Sequence, residues 1–253
     1  MIKVIKLGGR IQSDPRLAAA LSDLWNHGGS VCVVHGGGDE ISTLQRQLGR
    51  EPTFINGRRI TTAEDLDLVR MVLSGSANKR LVSSLESAGV PAVGISGEDG
   101  GLLSAEPIDL EWFGRSGKPV AADVTLIRTL LSGGFMPVIS PVGRDVTSAT
   151  GEPLNVNGDD AAAVIAAELN AELWLVADVA GVLDAERSVL PSLDPAQVES
   201  LVADGTVNSG MRAKLEAGFV ALASGASAVR ITGLEALSGK SSGTTLSLTP
   251  SLT

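Results

Sequence analysis

The sequence predicts an α/β fold, an open and mainly parallel sheet covered by helices on both faces. Three observations carry that expectation. Continuous apolar runs of strand length alternate with segments whose leucines and alanines recur at helical spacing. The junctions between them are rich in glycine. Of 253 residues 43% are apolar and only 3% aromatic, with 30 glycines, which suits a tightly turned core of Ala, Val and Leu. The length accommodates one large domain or two small lobes.

The rhythm begins at the first residue. Ile2 to Leu7 reads as a strand and Gly8-Gly9 as a turn. Ser13-Asp14-Pro15 offers a helix start, and Leu17, Leu21 and Leu24 repeat at helical spacing until Gly28-Gly29. VCVVHGGGDEI then supplies a second apolar run, three glycines and another helical segment. Together these form a βαβ unit and a further crossover. VPAVGIS reads as a strand, DVTLIRTLLSGG as a helix closed by glycine, and FMPVISPVG as another strand. DDAAAVIAAELNA is an alanine-rich helix, LWLVADV a buried strand, MRAKLEAGFVALASGA a helix and AVRIT a strand. No repeat or low-complexity linker interrupts the series, and the seam between halves is expected near Asn170.

Charge narrows the function classes. A formal charge of −9 argues against non-specific binding of nucleic acid or anionic membrane, which needs a basic field. An anionic ligand must be held locally instead. Cys32 stands alone in an apolar run, so a disulfide framework is ruled out and a small buried hydrophobe is expected. Met1 leads directly into strand-like sequence, without a signal-peptide or transmembrane stretch, and a cytoplasmic location is expected.

Two glycine loops, KLGG and HGGG, follow neighbouring strands, where ligands of open α/β sheets bind beyond the carboxyl ends. Each could equally be an ordinary tight turn. Neither matches the dinucleotide fingerprint or the phosphate loop ending in Gly-Lys-Ser/Thr, so any phosphate site is of another kind. Lys6 ends an apolar strand, where an ammonium is costly unless it faces an anion or snorkels to water. In LNVNGDDAAAV, Asp159 opens a helix, and in SGMRAKLEAG, Lys214 lies one turn into another. A helix cap and a solvated lysine are the plain alternatives. Their joint occurrence with NGRRIT and DVAGVL favours a site.

Taken in order, KLGG, HGGG, NGRRIT, SANKRL, AVGISGEDGG, PVISPVG, NVNGDDAA, ADVAGVL, SGMRAK and GTTL span the whole chain. In this register the sequence resembles the amino-acid kinase family, and within it the N-acetylglutamate kinases. The resemblance implies two lobes. Residues 1–170 would bind the acyl amino acid and dimerise, and residues 171–253 would bind ATP. It implies that the side-chain carboxylate of N-acetyl-L-glutamate is phosphorylated by ATP, with Mg2+ bound mainly through the nucleotide phosphates and no metal held by the protein's own side chains. A carboxylate is already ionised at pH 7, so no general base is required. The obstacle is the approach of an anion to a polyanion, and catalysis is then positioning and electrostatics.

By the same resemblance, Lys6 and Lys214 would hold opposite sides of the transferring phosphoryl group, and Asp159 would orient both. Gly8 and Gly9 would present N–H groups to its oxygens. Arg59 would grip the α-carboxylate of the substrate, in a pocket completed by Gly37, Gly38 and Asn155. Asp178, Gly181, Val182 and Leu183, with Asn208, Gly210 and Met211, match the nucleotide-binding loops. Departures from the family pattern are Asp39, where proline is frequent, Ser209, where a glycine is frequent, and Gly158, where alanine is commoner. SGKPVAADV also resembles relatives that act on glutamate or aminoadipate linked to an amino-group carrier protein, which is the alternative acceptor. A silent nucleotide or metabolite sensor would be expected to have lost Lys6, Lys214 or Asp159, and all are present. Arginine-inhibited members carry an extra amino-terminal helix that builds a hexameric ring. Only five residues precede Lys6 here, so a homodimer that arginine does not inhibit is expected.

Overall fold

The structure, a computed structural model, describes residues 1–55 and 57–249, so Asn56 of the NGRRIT segment and residues 250–253 lie outside the described residues. The chain runs through β1 (Ile2–Leu7), a 3-10 turn (Gly9–Ser13), α1 (Leu17–Asn26), β2 (Ser30–Val34) and α2 (Gly38–Gln47). Next come the short β3 (Phe54–Ile55) and β4 (Arg58–Arg59), α3 (Ala63–Arg70), a π-helical segment (Met71–Ala77), α4 (Asn78–Ser87) and β5 (Ala92–Ser96). β6 (Leu103–Pro107), β7 (Ser116–Ala122), α5 (Thr125–Ser132), β8 (Met136–Ser140), β9 (Val142–Asp145) and β10 (Pro153–Val156) complete the first half. The second half holds α6 (Gly158–Leu169), β11 (Glu172–Val176), β12 (Ser192–Leu193), α7 (Pro195–Ala203), α8 (Ser209–Ala223), β13 (Ala228–Thr232), a 3-10 turn (Leu234–Ser238) and β14 (Thr244–Leu246).

An eight-stranded sheet, in the order β12-β14-β13-β11-β1-β2-β8-β5, forms the frame, and all its pairs are parallel except β13–β14. Alternation along β1 sends Val4 and Lys6 to one face and Ile5 and Leu7 to the other. Val4 joins the core beneath α6 and α8, with Leu173, Leu175, Ile165 and Leu215. Ile5 and Leu7 join the core beneath α1 and α4, with Leu17, Leu21, Leu81 and Leu85. Cys32 is fully buried in the first of these cores, and burial pushes its thiol up to about 12, which removes it from thiolate chemistry at neutral pH.

β1 is flanked by β2 on one side and by β11 on the other. The chain leaves β1 in one direction through β2 and fills the opposite side later through β11. This is the strand-order reversal that opens a crevice beyond the carboxyl ends of the strands.

The structure departs from the sequence reading in three places. FMPVISPVG is not one strand. Pro141 breaks it between β8, in the main sheet, and β9, in a separate closed barrel of β10-β7-β6-β9. That barrel was not anticipated, because its strands are short and punctuated by glycine and proline. Gly117 explains one such interruption, since a Cβ there would lie 2.8 Å from the Leu154 Cβ. The first α-helix begins at Leu17 rather than at Ser13-Asp14-Pro15, because Asp14 turns its carboxylate to the Arg16 N–H at 2.9 Å and the preceding residues form a 3-10 turn. Among the described residues no helix is long and apolar enough to cross a membrane.

Candidate active site

Lys6 reaches the carboxyl end of β1 on the face covered by α6, and the first turn of α6 meets it. Lys6 is 7% exposed, and its ammonium lies 2.7 Å from Asp159 Oδ1. Lys214, from the second turn of α8, donates to Asp159 Oδ1 at 3.1 Å and Oδ2 at 3.0 Å. One carboxylate therefore binds two ammonium groups from strands and helices far apart in sequence. Asp159 is not the helix cap. Asn157 is, accepting from the N–H groups of Asp159 and Asp160 at 2.8 and 3.4 Å, and this leaves the Asp159 carboxylate free for the lysines.

The electrostatics are asymmetric. Burial opposes ionisation of Asp159 most strongly, yet the charges of Lys6 and Lys214 outweigh it and hold the carboxyl below the usual range. Lys6 has only one carboxylate and a like charge beside it. Burial, its largest influence, and then the Lys214 charge pull it below the ordinary lysine value, against the attraction of Asp159. Two cations crowded around one anion leave a net positive charge in a buried place, which an incoming anion would relieve.

Gly8 lies against both lysines. A Cβ there would be 3.2 Å from Lys214 Nζ, 3.6 Å from Lys6 Nζ and 3.1 Å from the Val176 carbonyl oxygen. Its N–H donates to that carbonyl at 2.9 Å, so Gly8 supplies room rather than a free donor. Gly9 has a left-handed φ of +51°, and a Cβ there would be 3.0 Å from Asp178 Oδ2. Asp178 thus stands beside the glycine turn, at the end of β11.

A cleft of about 340 Å3 opens on the amino-terminal side, lined by Lys6, Gly37, Gly38, Arg59, Asn155 and Gly158 among others. Arg59 is 7% exposed and is held by α2. Its Nη1 donates to Gln45, and its Nη2 donates to the Gly38 carbonyl and to Ser42 Oγ, both at 2.8 Å. The Phe54 ring lies beneath the guanidinium at 4.7 Å. Burial is also the largest influence on Arg59, drawing its proton affinity down without discharging it. Asn155 donates to Thr61 Oγ1 at 2.9 Å, and Ser116 Oγ lies 3.0 Å from the same hydroxyl and 2.5 Å from the Arg59 carbonyl. These buried hydroxyls tie β4 to the barrel strands β7 and β10. Gly37 sits where a Cβ would lie 2.6 Å from Leu73 Cδ2, so a side chain there would require Leu73 to move.

A second cleft, about 830 Å3, lies between α6, α8 and β7 and is lined by Asp159, Asp160, Gly210, Lys214, Lys118 and Val220 among others. Gly57, Arg58 and Asn157 line both clefts and so form their common wall. Arg58 Nη2 lies 2.8 Å from Asp160 Oδ2, although that oxygen has no aligned hydrogen bond. Burial raises the Asp160 carboxyl above its ordinary value, with Arg58 opposing.

The remaining expected residues divide. Asn208 caps α8, accepting from the Met211 N–H at 2.9 Å, and Gly210 faces the second cleft. Gly181 and Val182 are buried against β14: the Val182 N–H donates to Thr244 Oγ1 at 2.8 Å, and a Cβ on Gly181 would be 2.7 Å from Val189 Cγ1. Leu183 bridges to Val189. These three shape the turn after β11. Sequence reasoning missed Ser42, Gln45, Thr61 and Ser116, whereas Asn157 takes the helix-capping role that the plain reading of NVNGDD allows. A signal existed for two of them, because Ser42 and Gln45 fall on the buried face of α2 beside Ile41.

Residues 1–233 match the model of the amino acid kinase family. The acetylglutamate kinase of Paracoccus denitrificans is 43% identical over 235 residues, 91% of this chain and 76% of that protein. That of Geobacillus stearothermophilus is 41% identical over 222 residues, 87% of this chain and 84% of that protein. Among solved structures, a Streptococcus mutans protein superposes with a TM-score of 0.84 at 26% identity, covering 98% of this chain and 99% of that one. Carbamate kinase from Giardia lamblia bound to AMP-PNP shares the fold alone, with a TM-score of 0.69 at 18% identity over 97% of each chain.

Proposed function

The chain belongs to the amino acid kinase family, and on that premise we propose that it transfers the γ-phosphoryl group of ATP to the side-chain carboxylate of N-acetyl-L-glutamate, a step of arginine biosynthesis. The observation that carries the reading is the buried pair Lys6 and Lys214 on the single carboxylate of Asp159, placed between two clefts. A carboxylate oxygen of the acceptor attacks the γ-phosphorus, the bond to the bridging oxygen breaks, and ADP leaves with that electron pair. The products are an acyl phosphate and ADP, and no proton need be removed from the nucleophile. The lysines offset the charge that accumulates on the equatorial oxygens, and Asp159 holds them together, against their mutual repulsion, and aimed.

Arg59, Asn155, Gly37 and Gly38 receive the acceptor in the first cleft, with the α-carboxylate toward Arg59. Asp178, Asn208, Gly210 and Met211 face the nucleotide, and Gly181, Val182 and Leu183 shape its loop. The lobe of residues 1–170 then carries the acceptor and that of residues 171–253 the nucleotide. Mg2+ reaches the site on the nucleotide phosphates. Both oxygens of Asp159 are engaged by lysines. The protein acts as a homodimer joined through the amino-terminal lobe. Most of the large exposed apolar side chains lie there, including Leu48, Met71, Leu110 and Trp112.

The test is ADP release measured by a coupled assay with free N-acetyl-L-glutamate at millimolar concentration, with the acyl phosphate trapped by hydroxylamine. Turnover and hydroxamate formation are expected. Their absence would overturn this assignment of the acceptor.

A further inference from the structure

NGRRIT carries two adjacent arginines and NVNGDDAA two adjacent aspartates, yet the proposed reaction employs only one of each. The unused residues, Arg58 and Asp160, meet one another at 2.8 Å. The first turn of α6 thereby organises cations from three separate segments. Asp159 holds Lys6 of β1 and Lys214 of α8, and Asp160 holds Arg58 of β4.

Position gives the arrangement its meaning. Lys6 lines the first cleft, Lys214 lines the second, and Arg58 stands in the wall between them. A phosphoryl group passing from a donor in one cleft to an acceptor in the other must cross that wall. We propose that Arg58 is a third cationic group of the transfer site, parked on Asp160 and drawn onto an oxygen of the phosphoryl group as it crosses.

The ion pair suits a temporary partner. Arg58 contacts Asp160 through Nη2 at an oxygen that has no aligned hydrogen bond, and its side chain retains 35% exposure. A phosphoryl oxygen offers more negative charge and better-directed lone pairs than this carboxylate. Arginine also suits the task better than lysine, because its planar fork can keep one donor on Asp160 while another meets the phosphoryl group.

The inference rests on the kinase reading, and the two can fail separately. Wild-type turnover is measured first, and its absence sinks the reading itself. Given turnover, kcat and the acceptor KM are compared in Arg58→Leu, Arg58→Lys, Asp160→Asn and the double variant Arg58→Leu/Asp160→Asn. The double variant avoids leaving a partly buried carboxylate without its partner. Replacing Arg58 in the Asp160→Asn background is expected to lower kcat at least tenfold, with the acceptor KM within about threefold. Arg58→Lys should recover part of the loss. If the double variant matches Asp160→Asn in kcat, Arg58 is only a structural tie and the proposal fails. A loss confined to the acceptor KM would equally overturn it, by assigning Arg58 to acceptor binding.

Discussion

At the scale of the residue, the site is a problem of charge held without water. Lys214 meets Asp159 through both carboxylate oxygens, while Lys6 meets it through one. Lys214→Ala is expected to lower kcat on the order of 10²-fold with a much smaller change in the nucleotide KM, as for a donor whose contact is strongest in the transition state. A normal kcat with a raised nucleotide KM would contradict that role. Asp159→Asn removes the anion between two ammonium groups. It should depress both turnover and thermal stability, and near-normal kinetics would remove Asp159 from the site. Arg59→Lys should chiefly raise the KM for the acyl amino acid, because Gln45, Ser42 and the Gly38 carbonyl are arranged around a guanidinium that an ammonium cannot imitate. The lowered affinity of Lys6 for its proton has a sign that can be tested. As pH rises, Lys6 loses its charge before an ordinary lysine would, so kcat/KM for the nucleotide should fall on the alkaline side below pH 10.5. A flat profile to that pH would show that Lys6 keeps its proton.

At the scale of the element, the cap of α6 and the start of α4 place the loops. Asn157→Ala removes the acceptor for two N–H groups and should cost about 1 kcal/mol, read as a lowered thermal midpoint, together with lost turnover because the first turn carries Asp159. His35, fully buried at the end of β2, contacts the Gly36 carbonyl through Nδ1 at 2.7 Å and Asn78 Nδ2 through Nε2 at 3.0 Å. Since Asn78 donates there, the proton sits on Nδ1 and the ring is neutral. Burial pulls its affinity for a second proton below the usual value of 6.5, so the neutral ring contributes fully above that pH. Below it the unfolded chain gains a proton the folded one resists. The unfolding midpoint should therefore drop between pH 7 and 5, and the drop should be shallower in His35→Gln.

The elements also show how far a sequence can be read. β1, β2, β5, β8, β11 and β13 were legible because buried parallel strands are continuous apolar runs ending at glycine or a helix cap. The barrel was not, because Gly117, Gly143 and Pro119 serve close backbone packing there and look like loop residues. From the residues alone Asp159 and the lysines were charges in awkward places, and only the family resemblance set them around one phosphoryl group. Their convergence depends on β1 and β11 being neighbours, which no local pattern states. Thr61 and Ser116 fall inside NGRRIT and SGKPVAADV, but nothing local marked their hydroxyls as a buried tie, since a buried Ser or Thr is indistinguishable in sequence from an exposed one.

For the whole molecule, the assembly proposal is tested by light scattering, where a mass of two chains is expected and a hexamer or monomer would contradict it. A fragment of residues 1–170 is expected to behave differently from the intact chain. Without β11, β1 becomes an open edge of unpaired backbone groups, and the fragment should associate or exchange its β1 amide hydrogens rapidly. A well-folded, protected fragment would show that the seam isolates the halves.

The pairing of Lys6 with Leu175 has a consequence in time. During synthesis the first strand emerges at once, can pair with β2 within a few tens of residues, and then waits for its other neighbour until most of the chain has been made. The carboxylate that quiets its ammonium arrives near the same moment, and Lys214 later still. A sheet whose central strand is the first written and among the last enclosed has a long closing loop, so its final step should be slow relative to the formation of either flank. The proposed reaction centre is thus completed only when nearly the whole polypeptide exists, and a truncated chain is expected to carry no half-working version of it.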